Sequence, residues 1–285
     1  MIEGALIKRG IDVQNFEISK CDVFDSGFDL KEYLDEQIKP HDLLCIGSPV
    51  YAGHLQYNVK KVIKALPEVD GSWGSLAVPF VTWGGVSSGI ALEEASGLLV
   101  KSGRTNVLGM KINAYHCFTK KFAVKLNEGL PGDEAVPYIE ELAERIAFLK
   151  GKGPQVVRDI SKDLAYMSRK EKIMENIIFR ERVFQRIVYP KVKIDPKKCI
   201  GCGTCVRLCP VQHYELVGKK VITRKGAASC IHCGECFNKC PEDAVSFKVD
   251  RFEGILTKVA RGEGDFASWE TPPNAVYPVK INETN

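Results

Sequence analysis

The 285-residue sequence predicts an α/β fold with a doubly wound parallel sheet, followed by a small α+β domain rich in cysteine. Over residues 1–150, short apolar runs that fit strands alternate with segments whose apolar residues recur every three or four positions. A basic segment follows, and eight of the eleven cysteines then lie between positions 199 and 240. We therefore predict a sheet domain at 1–150, a basic helical connector at 151–192, a cysteine-rich domain at 193–250 and a tail at 251–285.

Four segments of the sheet domain fit β-strands, namely residues 11–18, 43–50, 76–83 and 106–112. The second and third are almost continuously apolar, which is typical of parallel strands covered by helices on both faces. Pro79 lies inside the third segment. It counts against a central position for that strand, because proline has no N–H to donate to a strand ladder.

Helices are predicted where apolar residues are spaced three and four apart, at 30–38, 55–66, 91–99 and 139–146. Pro137 stands near the start of the last helix and Gly151 follows its end, as at many helix boundaries. The chain also opens on a helical pattern that ends at Gly10, with no strand ahead of it. We expect the first strand of the sheet to be missing from this sequence.

The connector is the most basic part of the chain. The net charge is +4, while residues 151–198 carry thirteen Lys and Arg against six Asp and Glu. One helical stripe consists of Ile173, Ile177, Phe184 and Ile187. The arginines elsewhere around the same helix are Arg180, Arg182 and Arg186. A helix that docks one domain onto the other is the favoured interpretation, over a membrane-surface or nucleic-acid role. The tail shows no clear periodicity, so we expect loose order there.

Composition also bears on the compartment. No run approaches the roughly 20 apolar residues of a membrane span, and the first ten residues lack the layout of a secretory signal. We therefore expect a cytoplasmic protein without a membrane span. A reducing compartment keeps thiols free, so clustered cysteines there indicate metal or redox chemistry.

The cysteine-rich segment is a duplicated unit. Residues 199–210 read CIGCGTCVRLCP and residues 230–241 read CIHCGECFNKCP, both C-x-x-C-x-x-C-x-x-x-C-P, 31 residues apart. Zinc usually takes two C-x-x-C pairs across a longer spacer, whereas three cysteines at two successive intervals suit three corners of an iron–sulfur cube. The spacing favours iron–sulfur clusters over structural zinc or disulfides.

In the two-cluster arrangement typical of this spacing, the fourth cysteine of each run ligates the other cluster. We therefore predict two [4Fe-4S] clusters. Cluster I is assigned to Cys199, Cys202, Cys205 and Cys240, and cluster II to Cys230, Cys233, Cys236 and Cys209.

Three cysteines and one histidine lie outside this pattern. Cys45 lies in a predicted buried strand and is most simply a small core residue. Cys21 and Cys117 have no partner at metal-ligand spacing. His116, beside the end of a predicted strand, is assigned a structural role, and no catalytic side chain is predicted anywhere in the chain.

On these motifs, residues 193–249 resemble a bacterial two-[4Fe-4S] ferredoxin domain, with every cysteine of the double motif present. Such domains carry single electrons at low potential. The resemblance implies a redox protein as the partner, and nothing in it implies nucleic acid.

Two loops of the sheet domain are candidate ligand sites, GSPVYAG at 47–53 and TWGGVSSG at 82–89. Ligands of open parallel sheets bind at the carboxyl ends of the strands. Glycine, hydroxyl and aromatic residues here suit a flat ring between Tyr51 and Trp83, although plain turns share this composition. Neither loop is G-x-G-x-x-G and no G-K-[ST] occurs, so dinucleotide and nucleoside-triphosphate motifs are absent.

Residues 1–150 resemble the flavodoxin-like domain, and residues 1–250 resemble the flavodoxin–ferredoxin fusion proteins of anaerobic bacteria and archaea. That resemblance implies an iron–sulfur flavoprotein in which FMN exchanges electrons with the clusters. The implied FMN contacts are Ser48, Pro49, Tyr51, Ala52, Gly53, Thr82, Trp83, Gly84 and Gly85.

The FMN phosphate loop of that family follows the first strand, which this sequence lacks, so FMN is expected in a full-length form and is in doubt for the chain as given. Two other functions remain open. One is a ferredoxin-type carrier whose sheet domain is only a docking platform. The other is a flavin-dependent reductase of a quinone, a nitro compound or a small dye.

Overall fold

The computed structural model describes residues 1–19, 22–70, 73–152, 156–178, 192–247, 253–254, 256–258 and 272–281. Its strands in chain order are β1 (His41–Tyr51), β2 (His54–Leu55), β3 (Trp73–Trp83), β4 (Thr105–Asn106), β5 (Gly109–Asn113), β6 (Val157–Arg158), β7 (Lys193–Ile194), β8 (Tyr214–Val217), β9 (Lys220–Thr223), β10 (Val245–Ser246), β11 (Ala275–Tyr277) and β12 (Lys280–Ile281). Its longer helices are α1 (Ile2–Ile7), α2 (Leu30–Gln37), α3 (Tyr57–Ala65), α4 (Ala91–Lys101), α5 (Val136–Leu149) and α6 (Arg169–Ile178). Shorter helical turns lie at Cys117–Lys121, Asp133–Ala135, Thr204–Leu208 and Glu235–Asn238.

The main sheet is mixed, in the order β11–β5–β3–β1–β2, with β4 also paired to β3. Strands β1, β3 and β5 run parallel, and β2 and β11 pair antiparallel at the two ends of the order. The prediction of an α/β fold with parallel strands is therefore confirmed, whereas the sheet is mixed and not wholly parallel, and the flavodoxin-like fold stays a prediction.

Alternate side chains of β3 face two separate cores. Leu76 and Val78 join a core with Leu6 of α1 and Leu142 of α5. Ala77, on the opposite face, joins a core formed with α3 and α4. Period-2 alternation along a strand produces this division, and it places helices on both sides of the sheet.

Pro79 does not keep β3 at the edge of the sheet. On one side Pro79 pairs with Ile46 of β1. On the other side, Leu76 and Ala77 pair with β4, and pairing resumes with β5 at Phe80. Pro79 thus lies where β3 changes partner, at a point where a missing N–H interrupts no ladder pair on that side.

Residues 11–18 form no strand, which corrects the prediction. The segment alternates as a strand should, since Ile11 and Val13 pack on one core and Phe16 and Ile18 on another. A strand also needs a neighbouring strand with which its backbone forms a ladder of hydrogen bonds. Within the described residues, no strand pairs with this segment.

The same part of the sheet is more open than predicted. In β1, Ser48 is the buried residue, and the apolar positions are only partly buried. Within the described residues β1 pairs with β3 on one side, and on the other with β2 at Val50 and Tyr51. The apolar run at 43–50 is therefore not fully covered.

The connector and the tail both differ from expectation. Ile173 and Ile177 of α6 are 51% and 69% exposed, so this half of the predicted stripe does not dock on the described residues, and Glu175 is buried. The other predicted residues of the stripe, Phe184 and Ile187, lie outside the described residues, as do Arg180, Arg182 and Arg186. In the tail, β11 pairs with β5 and so extends the main sheet, while β12 and β6 form a separate two-stranded sheet. No helix among the described residues is long and apolar enough to cross a bilayer.

The cysteine-rich domain packs against the sheet domain through a charged and an apolar contact. Arg224 donates to both carboxylate oxygens of Asp25, at 2.5 and 2.9 Å, and the Ala228 N–H donates to the same carboxylate. The hydrogen bond from Arg224 lowers the pKa of Asp25. Leu34 of α2 and Val62 of α3 belong to the same apolar cluster as Cys205 and Cys236 of this domain.

We expect Asp25→Asn to destabilise the protein by about 1–3 kcal/mol at neutral pH, because Arg224 and the Ala228 N–H lose a charged acceptor. Since the folded-state pKa of Asp25 is lowered, this contribution is complete at neutral pH and is lost only as the pH falls through that value. The thermal midpoint measured anaerobically by circular dichroism should fall by about 2–4 °C per kcal/mol. Asp35→Asn, at an exposed position of α2, is the matched control. Equal midpoints for the two variants would contradict the interface.

Candidate metal centre

Four predicted ligands line one pocket at the surface of the cysteine-rich domain. The pocket encloses about 350 Å³ including space open to solvent, and Cys199, Cys202, Cys205 and Cys240 all contribute to its wall. Cys240 comes from the second cysteine run, whereas the other three come from the first. The two runs, called here the first loop (199–210) and the second loop (230–241), therefore face each other.

The backbone of each loop has the same shape. Gly203 and Gly234 have φ of 71° and 78°, and a short helix begins after each glycine. The third cysteine of each run, Cys205 or Cys236, lies in that helix and is buried. Positive φ favours glycine at these positions, so the loop shape follows from the sequence of each repeat.

Backbone N–H groups point at the sulfur of both crossing cysteines. His213 N donates to Cys209 Sγ at 3.2 Å, and Ala244 N donates to Cys240 Sγ at 3.3 Å. In each case the donor lies four residues after the cysteine. Hydrogen bonds to the ligand sulfurs are typical of iron–sulfur sites, so the backbone around the fourth cysteine of each loop suits that chemistry.

Cys209 lies among the cysteines of the second loop. Burial, followed by the charge of neighbouring thiolates that include Cys209, raises the pKa of Cys233 and of Cys236 to about 12. Burial and the Cys209 thiolate also raise the pKa of Cys230. Cys209 and Cys236 also belong to one apolar cluster, together with Cys205 of the first loop. Cys209 therefore lies near the cysteines of the second loop, as the crosswise prediction expects.

The first loop is more exposed. Cys202 is exposed and hydrogen bonds with the Thr204 hydroxyl at 3.4 Å, which lowers the pKa of its thiol. The Arg207 guanidinium donates to the Cys202 carbonyl at 2.9 Å and so braces this turn. The two predicted sites therefore share a ligand pattern but differ in their access to solvent.

The described residues show neither a compact site for a single metal ion nor a disulfide. Among the described residues, no three His, Cys, Asp or Glu side chains converge closely enough to hold one metal ion. The ten cysteines described are all free thiols. An iron–sulfur cube spreads its thiolates over four irons, so they stand farther apart than the ligands of one tetrahedral zinc.

Comparison with known proteins agrees with this chemistry. Residues 191–250 match the family model described as a 4Fe-4S dicluster domain. This segment is a ferredoxin-type 4Fe-4S domain. A 31-residue stretch is 55% identical to Ferredoxin-2 of Desulfomicrobium norvegicum, covering 11% of this chain and 52% of that protein. The chain thus spans about half the length of this curated relative. Binding of 4Fe-4S clusters by this domain is confirmed, while the number of clusters and their ligands stay predictions.

The residues predicted to contact FMN lie together at the carboxyl ends of β1 and β3. Pro49 pairs with Thr82, which brings the two loops side by side. The buried Ser48 hydroxyl donates to Pro49 O at 2.8 Å and accepts from the N–H of Gln56 at 3.2 Å. Ala52, Gly53 and Gly85 all have positive φ. Tyr51 is half-buried.

Parts of the chain itself cover these loops. Trp83 is 4% exposed, and its indole N–H donates to Pro273 O of the tail at 3.0 Å. Glu175 of α6 is buried against Gly53, where an added Cβ would lie 1.6 Å from its Oε1. A ring bound between Tyr51 and Trp83 would have to displace these segments.

Sequence reasoning missed the neighbours of the loops. His116 packs on Gly84, where a Cβ would meet His116 Cδ2 at 2.7 Å. Burial lowers the pKa of His116 to about 4, so it is neutral at pH 7, consistent with a structural role. Lys111 is 2% exposed, and its ammonium lies 4.4 Å from the ring centre of Tyr166. The sequence signal that could have indicated this contact was Lys111 itself, a lysine within a predicted apolar strand.

Paired cysteine variants test the crosswise assignment. If Cys240 serves cluster I, Cys205→Ser with Cys240→Ser removes one cluster and leaves about four irons per chain. Cys205→Ser with Cys209→Ser then removes a ligand from each cluster and leaves almost none. Iron and sulfide analysis after anaerobic purification measures the cluster content of both double variants.

The reverse result, with more iron in the Cys205 and Cys209 double variant, would mean that each loop holds its own cluster. Cys45→Ala is the control. Burial raises the pKa of Cys45 to about 12, and no site is assigned to it.

Proposed function

We propose that the chain is an electron-transfer protein that carries single electrons through two [4Fe-4S] clusters ligated crosswise, cluster I by Cys199, Cys202, Cys205 and Cys240 and cluster II by Cys230, Cys233, Cys236 and Cys209. The single observation that carries the proposal is the pocket lined by Cys240 together with three cysteines of the first loop. The similarity to Ferredoxin-2 supports the same role, although it covers only a short stretch.

We further propose that the sheet domain holds FMN at the carboxyl ends of β1 and β3. Support comes from the adjacent loops of these parallel strands, with Pro49 beside Thr82, and from their small and aromatic residues. FMN accepts two electrons together and releases them singly, so it would complement one-electron clusters.

A second candidate is a carrier without flavin, whose sheet domain serves as a docking platform. The observation that favours it is the cover formed over the loops by Glu175 and by the tail at Pro273. A flavin-dependent reductase is distinguished from both by its turnover of a quinone or a nitro compound without any protein partner.

The iron–sulfur proposal predicts about eight irons and eight acid-labile sulfides per chain after anaerobic purification. Dithionite should bleach the visible absorbance and produce a paramagnetic signal, because each cluster accepts one electron. Zinc in place of iron, or silence in paramagnetic resonance after reduction, would contradict it. The Cys202→Ser variant is the matched sample, and it should lose about half of the iron.

The flavin proposal predicts that added FMN is bound and that its fluorescence is quenched. Tyr51→Leu should weaken binding by about 2- to 10-fold through loss of ring stacking. Phe148→Leu, at a 49% exposed aromatic of α5 away from the loops, is the control. FMN fluorescence that does not change on adding wild-type protein loaded with clusters would favour the docking-platform function.

A further inference from the structure

We infer that the two clusters are not equivalent: cluster II is held beside the sheet domain, while cluster I is the one that an external acidic one-electron carrier reaches. This inference rests on the proposed function and adds the order of the clusters and the partner's chemistry. Three observations carry it, namely the position of the domain interface, the segment beside cluster II and the surface beside cluster I.

The interface between the two domains lies on the half of the cysteine-rich domain that contains the second loop. Asp25 bonds with Arg224 and with the Ala228 N–H, and Tyr57 Oη donates to Ser229 O at 3.0 Å. All these contacts fall just before the second loop, which supplies three ligands of cluster II. The sheet domain therefore packs beside the second loop, while Cys205 of the first loop and Cys236 of the second both lie in the apolar cluster that the two domains share.

One segment of the sheet domain contacts the second loop directly. Asn238, on the same short helix as Cys236, donates to Cys117 O at 3.0 Å. The ammonium of Lys121 lies 4.6 Å from the ring centre of Phe237 on that helix and pairs with Asp243. The residues 117–121 thus pack against the backbone that holds cluster II.

The same segment also touches the proposed flavin loop. His116 lies against Gly84, where a Cβ would be 2.7 Å from the imidazole. Cys117 follows it in sequence, and its carbonyl accepts from Asn238 of the second loop. Residues 116–117 therefore lie between the loop at 82–85 and the second loop.

Cluster I lies under an exposed apolar surface. Cys202 is exposed, and Ile200 beside it is 59% exposed. The β8–β9 hairpin flanks this loop, since a Cβ on Gly201 would lie 2.8 Å from Lys219 O. Leu216 of the hairpin is 41% exposed on the face that it shares with Val221, which lines the pocket, whereas Val217 and Ile222 lie on the opposite face. Exposed apolar residues beside a site of electron exit, here Ile200 and Leu216, indicate a protein-docking surface.

The charges around this surface favour an acidic partner. The exposed cations on the first loop, the residues before it and the hairpin are Lys197, Lys198, Arg207, Lys219 and Lys220. The carboxylates in the same region are Asp195, Glu215, Glu242 and Asp243, and Asp243 is paired with Lys121 of the sheet domain. Asp195 already accepts the N–H of Lys197 at 2.9 Å. The excess of exposed cations would steer a carrier whose docking face bears carboxylates.

The transfer step is a simple one-electron exchange. Reduced cluster I gives one electron to the oxidised carrier, so cluster I is oxidised and the carrier is reduced by one electron each. Reduced cluster II then passes one electron to the oxidised cluster I. No proton or bond is exchanged, and the acceptor supplies the only oxidant.

The test uses the dithionite-reduced full chain, freed of excess reductant and mixed by stopped flow with an oxidised acidic c-type cytochrome. We expect Cys233→Ser to halve the electrons delivered per chain. Cys202→Ser should also halve the yield and, in addition, slow the transfer by at least about tenfold, because the remaining cluster II is covered by the sheet domain.

A charge-reversal variant tests the docking surface separately. Replacing Lys197, Lys198, Lys219 and Lys220 with Glu should slow transfer to the acidic cytochrome by at least about tenfold at low ionic strength. Transfer to a basic c-type cytochrome should become faster, and both differences should shrink at about 0.5 M salt. The matched control replaces four exposed lysines of the sheet domain, Lys8, Lys31, Lys39 and Lys101, with Glu.

Equal slowing by the two lysine sets, or equal transfer rates from Cys202→Ser and Cys233→Ser, would overturn the inference. Loss of iron from the wild-type chain would instead overturn the proposed function. Iron content and the reduced-state spectrum, measured on every sample before mixing, separate these two failures.

Discussion

The exchange of Cys209 and Cys240 between the two loops, as proposed, is the constraint on which the small domain depends. Each loop supplies three ligands to one cluster and a fourth to the other, so neither site is complete until both loops have folded against each other. A domain of this size buries little apolar surface, and metal ligation is then a large part of its folding free energy. The Cys205 and Cys236 side chains lie in the apolar cluster shared with α2 and α3, so ligation also orders part of the interface.

The sequence predicts those features that short-range patterns determine. Cysteine spacing indicates the ligand loops, because the chemistry is local to twelve residues. Continuous apolar runs predict β1 and β3, and apolar stripes predict α4 and α5. Residues 11–18 show the limit of such patterns, because alternation makes a segment fit for a strand but a strand also needs a neighbour. The reverse holds for the tail, where β11 has a weak pattern and forms a strand because β5 offers a free edge.

The site at the end of the sheet was only half predictable for a related reason. Topology places the loops after β1 and β3 at one edge, so Ser48, Tyr51 and Trp83 could be grouped from the sequence. The segments that cover these loops could not be predicted, because the pattern of α6 indicates that its apolar stripe is buried. In the structure the stripe at Ile173 and Ile177 faces solvent, and the helix buries Glu175. A buried carboxylate is set by its tertiary partners, which leave no periodic signal in sequence.

Duplication of a motif gives two sites with the same ligands, and packing then makes them different. The second loop is closed in by the sheet domain, with Asn238 bonded to Cys117 O, while the first loop opens to solvent at Cys202. A reduced cluster carries one more negative charge than an oxidised one, and burial penalises that charge more than exposure does. Arg207, bonded to the Cys202 carbonyl, adds positive charge beside the first loop. Environment, and not ligand identity, would therefore distinguish the two proposed clusters, and both effects would favour the electron on the cluster nearer the exposed loop.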